Sequence, residues 1–174
     1  VAEGLAEDEE GTAIGLQAAQ LPVDPYFLGV WLNNGDDAIP DDHYEDRDRA
    51  LRPVVEALGI ETASVTRHFG LGVDYIELPS TVQQQLKDLH VFGDKHIPDI
   101  YLRSSLSQRM RLFAGILDAA GSLGNSDRRV YMTVYPLKFR KTLEDLALGL
   151  GASPRWSRYQ QPKTASVLHT FTAT

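Results

Sequence analysis

The chain has 174 residues, 43% of them apolar and 24% charged, with a formal charge of −7 and no cysteine. That length fits one domain or one domain of two similar halves, and the apolar share is enough for a packed core. Disulfides and thiolate metal sites are excluded, and no apolar run approaches the roughly 20 residues a membrane-spanning helix needs.

The first residues, VAEGLAEDEEG, are acidic and lack the basic and apolar regions of a signal peptide. The chain starts at Val1 rather than Met, as expected of a piece of a longer polypeptide. Residues 1–23 read as a flexible lead-in with a short strand at Thr12–Leu16. Asp24-Pro25 is a strong helix start, a capping side chain followed by proline at the first helical position. The helix over 25–33 contains YFLGVWL, apolar nearly all round and so buried on most sides. Asn33-Asn34-Gly35 supplies residues that tolerate the left-handed conformation of a helix end. The acidic segment DDAIPDDHYEDRDR follows, then a helical pattern in ALRPVVEALGI that stops at Gly59. ETASVTRHF and GVDYIELP predict a β-hairpin across Gly70–Gly72. Ser80 is placed to cap a helix, TVQQQLKDLHV, ending near Gly93.

The same order then recurs. KHIPDIYLRSS leads into SQRMRLFAGILDAAG, a second apolar helix over 108–118 that ends in a small-residue turn. RRVYMTVY alternates as a strand does, FRKTLEDLALGLG reads as a helix, and ASPRWSRYQ with KTASVLHTFT predicts a closing pair of strands. The apolar helices end at Gly35 and Gly121, 86 residues apart. A long repeat of this kind predicts an α+β fold of two halves about a pseudo-twofold axis, residues 24–94 and 95–174. Charge is divided between the halves. Residues 1–90 hold 18 acidic and 5 basic side chains, a balance of −13, whereas residues 91–174 hold 6 and 12, a balance of +6. Only the C-terminal half is suited to phosphate.

PYFLGVWLNNG and QRMRLFAGILDAAGS, with KHIPDIYL between them, resemble the two motifs and the lead-in of LAGLIDADG (dodecapeptide) homing endonucleases, above all those inserted in inteins. The likeness covers residues 24–160 in order and spacing. It implies two LAGLIDADG repeats whose motif helices pack together, with Gly29 and Gly115 at matching positions where backbones must approach closely. It also implies antiparallel sheets forming a DNA-binding saddle. In active relatives an acid at the end of each motif helix holds Mg²⁺ against the scissile phosphate, where the ion activates water and stabilises the leaving oxygen.

At those catalytic positions this sequence has Asn34 and Ala120. Asn offers one neutral oxygen and Ala none, so no metal is expected here although relatives use Mg²⁺. Asn33 stands where a small Gly is usual, and the following segment, where the family places a DNA-facing strand, is dense in Asp and Glu. Natural decay accounts for all of these departures, and deliberate inactivation only for the first two. The expected function is therefore an intein-type homing endonuclease domain that no longer cuts. The family's water-polarising lysine is assigned loosely to Lys163.

Candidate contacts to double-stranded DNA, weak or lost, are Arg128, Arg129, Lys138, Arg140, Lys141, Arg155 and Arg158. The family likeness also implies a flanking intein splicing domain as partner, a monomer, no membrane, and an intracellular location following the host. Two rivals remain. One is an active, site-specific, Mg²⁺-dependent endonuclease using Asp36, Asp37 or Asp118 instead. The other is a binding module for nucleic acid or protein on the same scaffold. The five histidines lack ligand spacing, with His96 read as a packing and hydrogen-bonding residue. GLG at 149–151 lacks the strand–loop–helix setting of a phosphate-binding loop.

Overall fold

A computed structural model describes residues 16–34, 54, 56–60, 65–67, 74–76, 78–123, 130–134, 137–160 and 167–173. Residues 12–15 of the expected strand, the acidic segment, and residues 50–53 and 55 of the expected helix at 50–60 lie outside the described residues; Val54, Glu56 and Ala57 are helical.

Helix α1, Pro25–Asn34, starts as its sequence dictates. The Asp24 Oδ1 accepts from the backbone N–H of Tyr26 at 2.9 Å and of Phe27 at 3.2 Å, satisfying two groups that have no partner inside the helix. Phe27, Leu28, Val30, Trp31 and Leu32 are all buried, as an all-round apolar helix requires. An antiparallel ladder follows between β1, Val65–Arg67, and β2, Asp74–Ile76. Helix α2, Ser80–Asp88, follows.

Two expectations about α2 are corrected. Ser80 is not its cap; Pro79 holds that position and no side chain caps the helix, because Ser80 already lies inside the first turn. Its end is not at Gly93 either. His90 takes a φ of 56°, donates its N–H to the Lys87 carbonyl at 2.9 Å and is followed by a longer bond from Val91 to Leu86, closing the helix in a left-handed turn usually left to glycine.

Residues 91–98 follow α2. Phe92 meets Trp31 edge-on at 5.1 Å, and the Lys95 ammonium lies 5.4 Å above the Trp31 ring. Ile97 is buried, and its N–H donates to Thr142 Oγ1 at 2.9 Å. His96 Nδ1 is 2.7 Å from the Asp94 carbonyl. A short helix α3, Asp99–Leu102, leads to α4, Leu106–Ala120. α4 opens with a capping box: Ser105 Oγ accepts from the Gln108 N–H at 3.3 Å, and Gln108 Oε1 accepts from the Ser105 N–H at 3.1 Å. It runs past 118, and Gly121 begins strand β3, Gly121–Leu123, so helix passes directly into strand where a turn is expected.

Strands β4, Val130–Val134, β5, Arg155–Gln160, and β6, Val167–Ala173, complete an antiparallel sheet of order β3-β4-β6-β5. Helix α5, Leu137–Gly149, buries Phe139, Leu143, Leu146 and Ala147 and covers one face. Met132 on that face is buried, and the Trp156 indole N–H donates to Glu144 Oε2 at 3.1 Å. Together these elements make a mixed α+β fold.

Ala19 and Val23, ahead of α1, are held by side chains of α3 and α4. The Gln108 amide bonds both the N–H and the carbonyl of Ala19, at 3.0 and 2.7 Å, as a strand neighbour would. Tyr101, with 0% exposure, donates its hydroxyl to the Val23 carbonyl at 2.9 Å and accepts from the Val23 N–H at 3.1 Å.

Candidate functional site at the helix pair

α1 and α4 cross at two glycines. A Cβ added to Gly29 would overlap the Leu112 carbonyl and stand 2.8 Å from the Ile116 nitrogen. A Cβ added to Gly115 would overlap the Tyr26 carbonyl. The two contacts are reciprocal, since Gly29 and Gly115 are 86 residues apart and so are Tyr26 and Leu112. Backbones this close admit only hydrogen at both positions.

Toward the helix ends, Asn33 Nδ2 donates across the pair to the Ile116 carbonyl at 3.2 Å, with a longer contact to Gly29 at 3.5 Å. Its amide adds a second donor to the Ile116 carbonyl and so ties α1 to α4 by a polar bond. Asn34 is the last residue of α1 and Ala120 the last of α4. The ends of the two helices therefore converge, tied by the residue just before Asn34.

Two polar pairs close one flank. Tyr26 donates its hydroxyl to Asp118 Oδ2 at 2.9 Å, and Arg111 meets Asp24 Oδ2 at 2.9 Å. The Tyr26 phenol is pushed up from its ordinary pKa by burial first, then by the bond to Asp118 and by its negative charge. Deeper in, burial pushes the Tyr101 phenol up to about 12; the Val23 bond opposes this and the Asp24 charge adds to it. The Tyr26–Asp118 bond joins α1 to α4. Among the described residues no group of three or more His, Asp or Glu side chains could hold a metal ion.

The candidate DNA-contacting cations fall into separate places. Lys138, Arg140 and Lys141 ride on α5, over the covered face of the sheet. Lys138 Nζ pairs with Asp94 Oδ2 at 2.6 Å, the Arg140 guanidinium lies 4.9 Å above the Trp156 ring, and Lys141 is exposed. Arg155 is exposed at the start of β5, and strand alternation puts it on the face opposite Trp156. Arg158 pairs with His169 in the ladder. Arg128, Arg129 and Lys163 lie outside the described residues. Sequence reasoning passed over Tyr26, Asn33 and Gln108 as bonds across the halves; of these only Gln108 carries a local signal, the Ser-x-x-Gln spacing of a capping box.

No family model matches the chain. Over 111 residues it is 34% identical to the replicative DNA helicase DnaB of Mycobacterium intracellulare, a stretch that is 64% of this chain and 16% of the helicase. The chain thus spans a small part of the curated relative it matches. A solved structure of I-DmoI in complex with its target DNA, in the presence of manganese, aligns with 88% of this chain and 87% of that one, at a TM-score of 0.49 and 11% identity.

Proposed function

We propose that the chain is an intein-type LAGLIDADG homing endonuclease domain that has lost the ability to cut. The reciprocal approach of Gly29 and Gly115, on helices whose last residues are Asn34 and Ala120, carries that reading. Two glycine contacts related by a single offset are what a pseudo-dyad between repeats 24–94 and 95–174 requires. A match confined to 16% of a replicative helicase also suits a domain set inside a larger host, with a splicing domain on its flanks.

The donor set at the helix ends does not fit Mg²⁺. A hard divalent cation needs carboxylate charge to leave water, and Asn34 and Ala120 supply none. Of the displaced acids, Asp118 already accepts the Tyr26 hydroxyl on one carboxylate oxygen, which sets it against a metal role; Asp36 and Asp37 lie outside the described residues.

DNA contact is assigned to the sheet face away from α5. By register, the positions alternating with Met132 and Trp156 are Ser122, Tyr131 and Thr133, then Thr170 and Thr172, with Arg155 and Ser157 at the edge. Of these, Arg155 and Ser157 are exposed, and a guanidinium and a hydroxyl suit contact with phosphate and sugar. The acidic N-terminal half opposes it, so binding is expected to be non-specific, at roughly 10⁻⁴–10⁻⁶ M near physiological salt.

Plasmid nicking with and without Mg²⁺ tests the proposal, alongside calorimetric Mg²⁺ titration of the chain and of the double variant Asn34→Asp with Ala120→Asp. The expected result is no nicking, no metal heat from the native chain, and a new Mg²⁺ site in the double variant. Mg²⁺-dependent nicking abolished by Asp118→Asn would establish the displaced-acid enzyme instead. Nanomolar, sequence-selective binding at 150 mM salt without cleavage would establish a binding module.

A further inference from the structure

Arg109 is a buried guanidinium, 7% exposed, with no carboxylate among its hydrogen-bond partners in the described residues. Its Nη1 donates to the Gly149 carbonyl at 2.9 Å, and its Nε is buried without a partner. Burying such a cation is unfavourable unless a specific contact compensates. Its neighbour supplies that contact. α5 closes in a Schellman turn, with Gly151 at a φ of 79° donating to Leu148 and Ala152 donating to Ala147, both at 3.0 Å. Those bonds leave the Gly149 carbonyl open, at the negative end of the helix dipole, and Arg109 takes it. The fit is tight: a Cβ on Gly149 would stand 2.9 Å from Nη1.

Only the turn at 150–154 separates this carbonyl from Arg155, the first residue of β5. Among the described residues β5 pairs with β6 and with no other strand, so one side of its start rests on that turn and on Trp156. We propose that Arg109 is a positioning residue: acting from α4, it fixes the end of α5 and so sets where β5 and Arg155 stand relative to the helix pair. The consequence for DNA rests on the function proposed above; the positioning does not.

The test uses the whole chain with Arg109→Met and Arg109→Lys. Amide exchange, the two tryptophan indole resonances and binding to a random-sequence duplex are read together. In Arg109→Met, exchange at Leu150–Ala152 and along β5 should rise about ten- to a hundredfold, the loss expected of a charge-assisted bond. The Trp156 indole resonance should move while that of Trp31 stays, and Arg109→Lys should restore both. DNA binding should weaken about threefold with an unchanged salt slope, because no phosphate contact is removed. If Arg109→Met does not fold, Gly149→Ala displaces the same guanidinium and should give the same local pattern. Exchange that rises equally in α1, α4 and β5, or a Trp156 resonance that does not move, would overturn the proposal and leave a cap that contributes stability alone. A native chain that does not bind the duplex would refute the DNA reading, while exchange and indole shifts still decide Arg109.

Discussion

Adding one methyl group at the crossing of α1 and α4 should be among the most damaging small changes available to this chain. In Gly29→Ala the new Cβ meets backbone, the Leu112 carbonyl and the Ile116 nitrogen, so no side chain can swing aside. Restoring ordinary contact requires the helices to part by about 1 Å, and a gap of 0.5–1 Å forfeits a quarter to a half of each dispersion contact it opens. The contacts at risk include those of Phe27, Leu28, Leu112 and Ile116, all with 0% exposure. Overpacking typically costs about 1–3 kcal/mol and more when backbone must move, while replacing helical glycine by alanine returns about 1 kcal/mol of propensity. The net expectation is a loss of about 2–4 kcal/mol in urea unfolding, with an unchanged slope. Gly115→Ala should behave alike. Because the first methyl already separates the helices, the double variant should lose less than the sum of the two singles by about 1–2 kcal/mol. A loss below about 1 kcal/mol for Gly29→Ala, or full additivity in the double variant, would refute the shared close approach.

Asn33→Ala should cost about 1 kcal/mol in the same urea assay through the lost bond to Ile116. Asn33→Asp should cost more at neutral pH, since a carboxylate would face carbonyl oxygens, and its deficit should shrink in acid. The raised phenol of Tyr101 gives a pH dependence of known sign. Its stabilising effect is complete below the unfolded value near 10 and declines as pH rises toward about 12. Thermal midpoints taken from pH 8 upward should therefore fall less steeply in Tyr101→Phe, which should also lose about 1–3 kcal/mol from its unmet Val23 groups. His90→Gly should raise stability by up to about 1 kcal/mol in calorimetry, by relieving a left-handed φ. Lys138→Met should change stability by less than about 0.5 kcal/mol, because its ion pair with Asp94 is about half exposed at both ends.

The helix pair was legible because its signals are local. An all-round apolar YFLGVWL must be buried, and Asp24-Pro25 can begin little but a helix. The strands β4, β5 and β6 were legible through alternation. Where the expectation failed, a local cue competed with geometry it does not encode. Ser80 looked like a cap but fell one residue late, and nothing in a histidine announces the left-handed turn at His90. The small residues ending FAGILDAAG suggested a turn, whereas Gly121 pairs with Met132 and enters the sheet at once. Bonds such as Gln108 to Ala19 and Tyr101 to Val23 join residues some 80–90 positions apart, and no window of sequence contains both partners. Charge composition grouped Lys138, Arg140, Lys141 and Arg155 into one surface, yet the fold divides them between a covering helix and the opposite face of the sheet.

The division of labour along α1 and α4 explains how such a domain would keep its fold after losing its chemistry. Packing depends on Gly29, Gly115 and the apolar residues around them, all within the helices, whereas the two positions that would carry acids are terminal. A carboxylate at the end of a helix faces the negative pole of the dipole, so removing two of them relieves repulsion rather than opening a cavity. The flank held by Tyr26 and Asp118 shows the same independence. Under the 86-residue offset its counterparts are Leu112 and Leu32, both buried and apolar, so the polar bond has no polar equivalent at the matching positions. Selection on stability acts on the glycines and on these flanks. On the proposed reading, loss of acids at positions 34 and 120 would leave those glycines and flanks untouched.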